Sequence, residues 1–509
     1  MLCYSYGMVL ALTVLGVLSL AELLLWLPPL WDRRKIIARI LLFWVAVATF
    51  TLLVERLAAW TVLVAAFSIY RCINLARIAA DRVHTDYLYH ASLRTTLWLT
   101  GLQSAVTAVA ALGYRFTIEP IIWWDILASI QLVSAVILLA STLRHLDTTK
   151  KPGSESVISN ADLPSLTVAI PARNETTDLE RCLQSLTASA YPKLEIIVLD
   201  DCSQNQRTPE IIRGFAHDGV RFVAGKIPPD KWLAKNYAYA QLAKEANGEL
   251  LLFCGVDTRF EPESLSVLVK TLLRKQKLMI SVVPRNTPPR SFNPLSWLIQ
   301  PSRYAWELAL PRRLLQRPPV LSTCWLIERK ALKAAGGFDA VQRKGVPESY
   351  FAKRTAADGD GYSFLQSDAD IGITASKSFE AQKATAIRTR YLQLHRRPEL
   401  VALIGLAELA LLVWPLVLCI TSLLSGEWLL GAVSGLSFLM ATIVYGKLVN
   451  LTYRRFTLKS VWLLPLAVLY DIGLLNYSMW QYEFREVLWK GRNVCIPVMQ
   501  VVPKLPKIT

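Results

Sequence analysis

The stretch TVAIPARNETTDLERCLQSLTASAYPKLEIIVLDDC, residues 167–202, reads as strand, loop, helix, loop and strand, and the rest of the chain is organised around it. Leu166 to Ile170 is a short apolar run stopped by Pro171. Leu179, Cys182, Leu183 and Leu186 follow at spacings of three and four, which places them on one face of a helix. Glu195 to Leu199 is the second strand, and Asp200 and Asp201 emerge at its carboxyl end, where open parallel sheets bind ligands. The unit is a nucleotide-binding half-domain. The alternation then repeats: a helix closes over Ile211 to His217, Val220 to Val223 is a strand, Ala234 to Ala246 is an alanine-rich helix, and Glu249 to Phe253 is a buried strand ending at Gly255-Val256-Asp257. Two acidic strand ends meet the needs of a nucleotide diphosphate and a hard cation, which takes oxygen ligands and bridges to phosphate.

The chain has 509 residues, 53% of them hydrophobic, and its mean hydropathy is positive. That is too long for one ordinary domain and too apolar for a wholly soluble one. Apolar runs at 8–28, 36–54, 57–76, 93–113 and 119–141 precede the soluble part, and runs at 400–423, 427–447 and 460–480 follow it, each near the ~20 residues needed to span a bilayer. The second and third may be read equally as a shallow hairpin, since only Glu55 and Arg56 separate them. The expected organisation is a transmembrane region at 1–143, a linker at 144–164, a cytoplasmic α/β domain at 165–398, a second transmembrane region at 399–480 and a basic tail at 481–509.

Charge sets the expected orientation. Asp32 to Lys35, Arg71 to Arg94 and Arg144 to Lys151 are basic, whereas the alternate loops are nearly neutral, which puts the soluble domain on the cytoplasmic side. Parity fails at the end, because a full crossing at 460–480 would export a basic tail. Either that segment, which contains Asp471 and Asn476, is re-entrant or interfacial, or the tail breaks the charge rule; the first reading is preferred. The net charge of +17 is gathered beside apolar runs and at Arg388 to Arg397, a distribution suited to anionic headgroups and a diphosphate ligand, not to nucleic acid. Eight cysteines without a CxxC pair and five histidines without HExxH spacing argue against a zinc site or a disulfide framework and suit a reducing compartment.

At VAIPARNE, YPKLEIIVLDDCSQN and KWLAKNYAYAQLAKEANGELLLFCGVDTRFEP the chain resembles the family 2 inverting glycosyltransferases of GT-A fold, and AAGGFD, VPESYFAKRTAADG and the tail REVLWKGR resemble lipid-modifying members such as hopanoid, carotenoid or ceramide glycosyltransferases. The resemblance implies a Rossmann-like, mostly parallel sheet, a nucleotide-sugar donor (a UDP-sugar by preference), Mg or Mn, a lipid or lipid-linked acceptor, and a multi-pass protein of a bacterial plasma membrane. By position it implies that Pro171, Ala172, Asn174, Glu175, Asp200 and Asp201 hold the nucleoside, that Lys235 and Arg390 face the diphosphate, and that Asp257 is the metal ligand.

Departures from the pattern are plain. Gly255 stands where the first aspartate of the DxD motif belongs. The Glu-Asp pair at the start of the late helix is Glu348-Ser349, which leaves Glu348 as the candidate general base. The (Q/R)xxRW motif is Ile387-Arg-Thr-Arg-Tyr391, which favours one sugar per acceptor over polymer extension. A relative whose chemistry has decayed, binding nucleotide sugar or acting as a scaffold, is the alternative.

Overall fold

The computed structural model describes residues 6–26, 30, 33–55, 59–80, 93, 96–101, 103, 120–150, 158–287, 296–309, 318–357, 359, 361–453, 459–485 and 487–493. The strands of the α/β domain are, in chain order, β1 (Leu166–Ala172), β2 (Leu194–Asp200), β3 (Val220–Ala224), β4 (Leu250–Cys254), β5 (Thr258–Phe260), β6 (Met279–Val283), β7 (Arg285–Asn286), β8 (Cys324–Glu328), β9 (Tyr362–Gln366) and β10 (Ile373–Ala375). They form a seven-stranded sheet of order β3-β2-β1-β4-β8-β6-β9 and a three-stranded sheet of order β5-β10-β7.

The larger sheet is mixed. β1 runs parallel to β2 and β4, β2 to β3, and β6 to β9, but β8 is antiparallel to both β4 and β6. The sheet is thus mostly parallel, as expected, with β8 as the one strand that runs against both neighbours. β8 is buried over four of its five positions, and a strand covered on both faces is a continuous apolar run whichever way it points. β1 also runs two residues further than expected, through Pro171 and Ala172. Its ladder with β4 stops at Ala169, so Pro171 lies where no amide donor is needed on that side.

Alternate residues of each strand enter different cores, as the two-residue period of a strand requires. Val168, Ile170, Ile196 and Leu252 pack with Leu179, Leu183 and Leu186 of the helix Thr177–Thr187 and with the helix Ser264–Arg274. Ala169, Ile197, Leu251 and Phe253 face the helices Ala234–Glu245 and Pro347–Ala357 on the other side. Each buried aliphatic side chain there contributes roughly 1.5–3 kcal/mol. The second core is aromatic: Phe253 stacks on Trp325 at 4.4 Å and Trp325 on Phe351 at 5.9 Å. Val444 and Leu448 of the long helix Trp428–Tyr453 reach the same core, so the α/β domain and the apolar helices share packing.

Five described helical segments are long and apolar enough to cross a membrane: Arg34–Val54, Trp124–Thr148, Pro398–Leu424, Trp428–Tyr453 and Leu463–Phe484. They match five of the expected runs. Of the others, 59–76 of the third run lies in the helix Ala59–Ala79, and 8–26 of the first lies in the helix Tyr6–Glu22 and the tight turn Leu23–Trp26 that follows it, the remaining positions of both runs being outside the described residues. Most of 93–113 lies outside the described residues. Arg71 does not reach for a surface as a snorkelling side chain would; it is fully buried and pairs with Glu22 at 2.8 Å. The last apolar segment is one helix, Lys459–Phe484, lying along the helix Phe379–Gln393 through Asp471, Ser478 and Tyr482.

Candidate active site

The carboxyl ends of β1, β2 and β4 open into one crevice. On its β2 side, Asn174 adopts the left-handed conformation (φ 50°), which turns its side-chain oxygen to accept the amide of Gln204 at 2.7 Å while its own amide donates to Ser203 Oγ at 2.9 Å. Asp200 accepts the Ser203 amide at 3.2 Å. Asp201 is buried, and its two carboxylate oxygens accept from Arg492 Nη1 at 2.7 and 2.8 Å. Burial pushes the Asp201 carboxyl above the usual range, against the pull of Arg492 and Arg173.

Arg492 arrives from a two-stranded hairpin, β11 (Leu488–Trp489) and β12 (Arg492–Asn493). Its turn residues Lys490 and Gly491 both have positive φ (49° and 77°), the conformation of a two-residue hairpin loop. Lys490 pairs with Glu175 at 2.7 Å, and its carbonyl accepts from Arg173 Nε at 3.1 Å. The C-terminal segment thus closes one wall of the crevice by two ion pairs. The sequence reading placed Asp201 and Glu175 here but saw neither cation as their partner.

On the β4 side, Asp257 is held by a turn in which the Gly255 amide donates to Thr323 O (3.1 Å), Thr258 Oγ1 donates to the same carbonyl (3.1 Å), and Ser376 N donates to Asp257 O (2.9 Å). That last bond continues the β5–β10 pairing and brings Lys377 across, so that Lys377 Nζ lies 3.1 Å from Asp257 Oδ2. Lys235, in the first turn of the helix Ala234–Glu245, lies 3.8 Å from Glu348 in the first turn of Pro347–Ala357. Asn236 fixes the two helix starts together. Its side-chain nitrogen donates to Val341 O (2.7 Å), Lys344 O (2.8 Å) and Gln342 O (3.3 Å), in the segment leading to Pro347. Phe351, one turn beyond Glu348, is anchored by the aromatic stack. Ser349 spends its hydroxyl on Val346 O at 2.7 Å, a local turn.

Two arginines join these pairs. Burial lowers the pKa of Lys235 and of Lys377; Glu348 and Asp257 respectively oppose the shift, and Arg303 and Arg388 add to it in both cases. Burial also pulls Arg388 down to about 10. Arg303 is buried and its Nη1 has no partner among the described residues. Lys235 and Lys377 thus pair with Glu348 and Asp257, and Arg303 and Arg388 are near enough to both lysines to bear on their charge. Glu175 is near enough to Asp257 to feel its charge, which joins the two sides of the crevice.

Arg390 is not brought into this group. Its guanidinium binds Asp471 at 2.6 Å and lies 4.6 Å over Trp306, in the interface with the helix Lys459–Phe484. Two residues along a helix point roughly 200° apart, so Arg388 and Arg390 take opposite faces. Arg303 and Lys377 carry no motif that would single them out, whereas Arg388 lies inside the Ile387 to Tyr391 motif, next to the arginine that the motif favours.

Protein oxygens alone do not build a divalent-ion site here; an ion would have to rest on Asp257 together with donor phosphates. No group of three or more His, Cys, Asp or Glu side chains able to hold a metal occurs among the described residues. Gly255 offers no ligand, a Cβ there would collide with Oδ1 of Asp257, and the other oxygen of Asp257 lies 3.1 Å from the Lys377 ammonium.

Residues 167–336, a third of the chain, match the family described as glycosyl transferase family 2, and the domain that contains them has a GT-A-like α/β architecture. The probable glycosyltransferase YdaM of Bacillus subtilis is 28% identical over 195 residues, 35% of this chain and 44% of that one. The 4,4'-diaponeurosporenoate glycosyltransferase of Staphylococcus haemolyticus is 31% identical over 134 residues, covering 26% and 35%. The chain thus spans less than half the length of either relative. Among solved structures, a mannosyltransferase from Pyrobaculum calidifontis in complex with GDP-Man and Mn2+ aligns with TM-score 0.41 at 18% identity, over 70% of this chain and 97% of that one.

Proposed function

We propose that the protein is a membrane-bound inverting glycosyltransferase that moves a sugar from a nucleotide-diphosphate donor, a UDP-sugar by preference, to a hydroxyl of a lipid or lipid-linked acceptor at the cytoplasmic face. The observation that carries the reading is the pairing of Glu348 with Lys235 beside the β4 strand end of a family 2 domain. The nucleoside lies along Pro171, Ala172, Asn174, Glu175, Asp200 and Asp201. The diphosphate lies over Asp257, Lys235 and the neighbouring cations.

In the reaction the acceptor hydroxyl gives its proton to the Glu348 carboxylate as its oxygen attacks the anomeric carbon. The bond from that carbon to the diphosphate oxygen breaks, and the electron pair leaves on the phosphate. Fixed cations aimed at that developing charge supply the larger part of the barrier reduction, and proton transfer the smaller. Long apolar helices that share a core with the α/β domain support an acceptor presented from the membrane.

The test is nucleoside diphosphate release by the purified full chain, with a panel of nucleotide sugars and a lipid extract. Glu348→Gln is expected to lower kcat about 100- to 10,000-fold while nucleotide binding persists. Nucleotide binding without release under any acceptor would instead make the chain a donor-binding scaffold.

A further inference from the structure

We infer that this site holds the donor diphosphate with protein cations in the place of a divalent metal ion: Lys377, seated on Asp257, together with Lys235, Arg303 and Arg388. The inference rests on the donor-site reading above and specifies how that site binds its ligand.

Three independent features of the crevice lead to it. Asp257, the one carboxylate at the expected metal position, has its Oδ2 3.1 Å from an ammonium, and its Oδ1 fills the space that a side chain at Gly255 would need. The position is therefore occupied by the protein's own cation, held by the backbone bond from Ser376 to Asp257 O and not by a loose surface lysine. Next, Lys377 and Lys235 lie 3.1 and 3.8 Å from Asp257 and Glu348, Arg303 and Arg388 are near enough to both lysines to depress them, and the nearby Glu175 is already paired with Lys490, so four cations bear on two carboxylates, a formal excess of two positive charges. An incoming Mg or Mn ion would add two more to a site already short of anions, whereas a nucleoside diphosphate brings the missing negative charge. Lastly, Arg303 is buried with Nη1 unpartnered among the described residues, a donor whose burial is costly until an acceptor arrives. Guanidinium groups offer paired donors to phosphate oxygens, and ammonium groups offer point charges.

A metal clamp and a cation clamp do the same electrostatic work in such a transfer: both neutralise the leaving diphosphate. The lost first aspartate at Gly255 is then a consistent part of this arrangement and not a mark of decay.

The experiment measures UDP and GDP binding to the full chain in nanodiscs by calorimetry, in EDTA and in MnCl2, with parallel Mn2+ titration followed by electron paramagnetic resonance. Expected results are nucleotide affinity equal within about twofold in the two buffers, no tight Mn2+ binding to the free or nucleotide-bound protein, and a loss of at least about tenfold in affinity for Lys377→Met in EDTA. Arg303→Met, which leaves the Asp257 turn untouched, is expected to weaken binding likewise. Binding that vanishes in EDTA and returns with Mn2+, or a Lys377→Met chain that binds as the native one does, overturns the inference while leaving the donor site intact. Absence of nucleotide binding in every buffer overturns the donor-site reading and this inference with it.

Discussion

Replacing Asn236 with alanine should disable the site without touching a reacting group. The side chain is buried and sends one nitrogen to three carbonyls, two of them at 2.7 and 2.8 Å. Not all three become orphans when it goes. Gln342 O keeps the amide of Leu233, and Val341 O keeps the amide of Lys344, so the loss is two good hydrogen bonds, one of them the bond that Lys344 O accepts from Asn236. At about 1 kcal/mol for each bond, with a further increment for the stranded carbonyl, the segment before Pro347 is loosened by about 2–3 kcal/mol. Glu348 rides on that segment and Lys235 does not, so their separation is what changes. If the whole of that energy falls on the geometry of the base, kcat drops about 30- to 150-fold. Binding of nucleotide, which uses the Lys235 side, should change less than about threefold. The measurement is kcat and donor KM for Asn236→Ala and Asn236→Asp, with whichever donor the panel identifies. Aspartate is the sharper test, because it faces three carbonyls with no N–H at all and must be worse than alanine. A native kcat for alanine, or an aspartate variant milder than alanine, refutes the positioning argument.

Several other perturbations have defined outcomes. Because burial lowers Lys235 and Lys377, and brings Arg388 to about 10, these groups lose their charge at lower pH than free side chains do. Nucleotide affinity should fall as pH rises through their folded-state pKa values, while stability of the free protein rises across the window between those values and the ordinary ones, since there the unfolded chain binds more protons; titration of UDP affinity and of thermal midpoint between pH 6 and 10 checks the opposite signs, and parallel trends would contradict them. Arg492→Ala strips the buried Asp201 of its partner and should release the C-terminal hairpin, read as faster proteolysis after Phe484 and nucleotide affinity reduced roughly tenfold; Asp201→Asn in the same chain should recover part of the loss. Asp471→Asn leaves Arg390, 1% exposed, without its ion-pair partner and is expected to cost about 3–5 kcal/mol, seen as a lower thermal midpoint in detergent.

Local periodicity made most of the α/β domain legible. The expected strand Glu195 to Leu199 is β2 with one residue added at each end, and the helix expected at Ala234 to Ala246 differs by one residue from Ala234–Glu245. These elements announce themselves because spacing and burial are local properties. Partnership across the chain is not local. Lys377 follows a three-residue strand and precedes the capping residue Ser378, and nothing nearby marks it as the partner of Asp257; only the β5–β10 pairing brings it there. Arg492 was visible as a basic residue of the tail, but its destination depends on how the hairpin folds back. The placement of Arg390 at the diphosphate came from a motif position, and the structure sends Arg388 toward that region while Arg390 faces Asp471. The linker at 144–164 marks a boundary, yet it says nothing about which apolar helix packs under which core.

That division of the Phe379–Gln393 helix has a mechanical consequence. Arg388 feels the charge of Asp257, while Arg390 holds Asp471, the Tyr391 hydroxyl accepts from Arg77 at 2.8 Å, and the Tyr391 amide donates to Ser478 at 3.2 Å. Arg77 in turn binds Glu483. Three buried polar contacts of this kind cannot shift singly, because each leaves a charge or donor stranded in apolar surroundings. The helix therefore transmits the position of the apolar bundle to the cationic cluster as a rigid body. An acceptor that wedged the Lys459–Phe484 helix away would have to carry Arg388 with it, and so loosen the grip on the diphosphate; one that fits without moving that helix meets a site already assembled. Rigid docking is the arrangement expected where a lipid hydroxyl must be brought within attack distance of a sugar held on the other side of one helix.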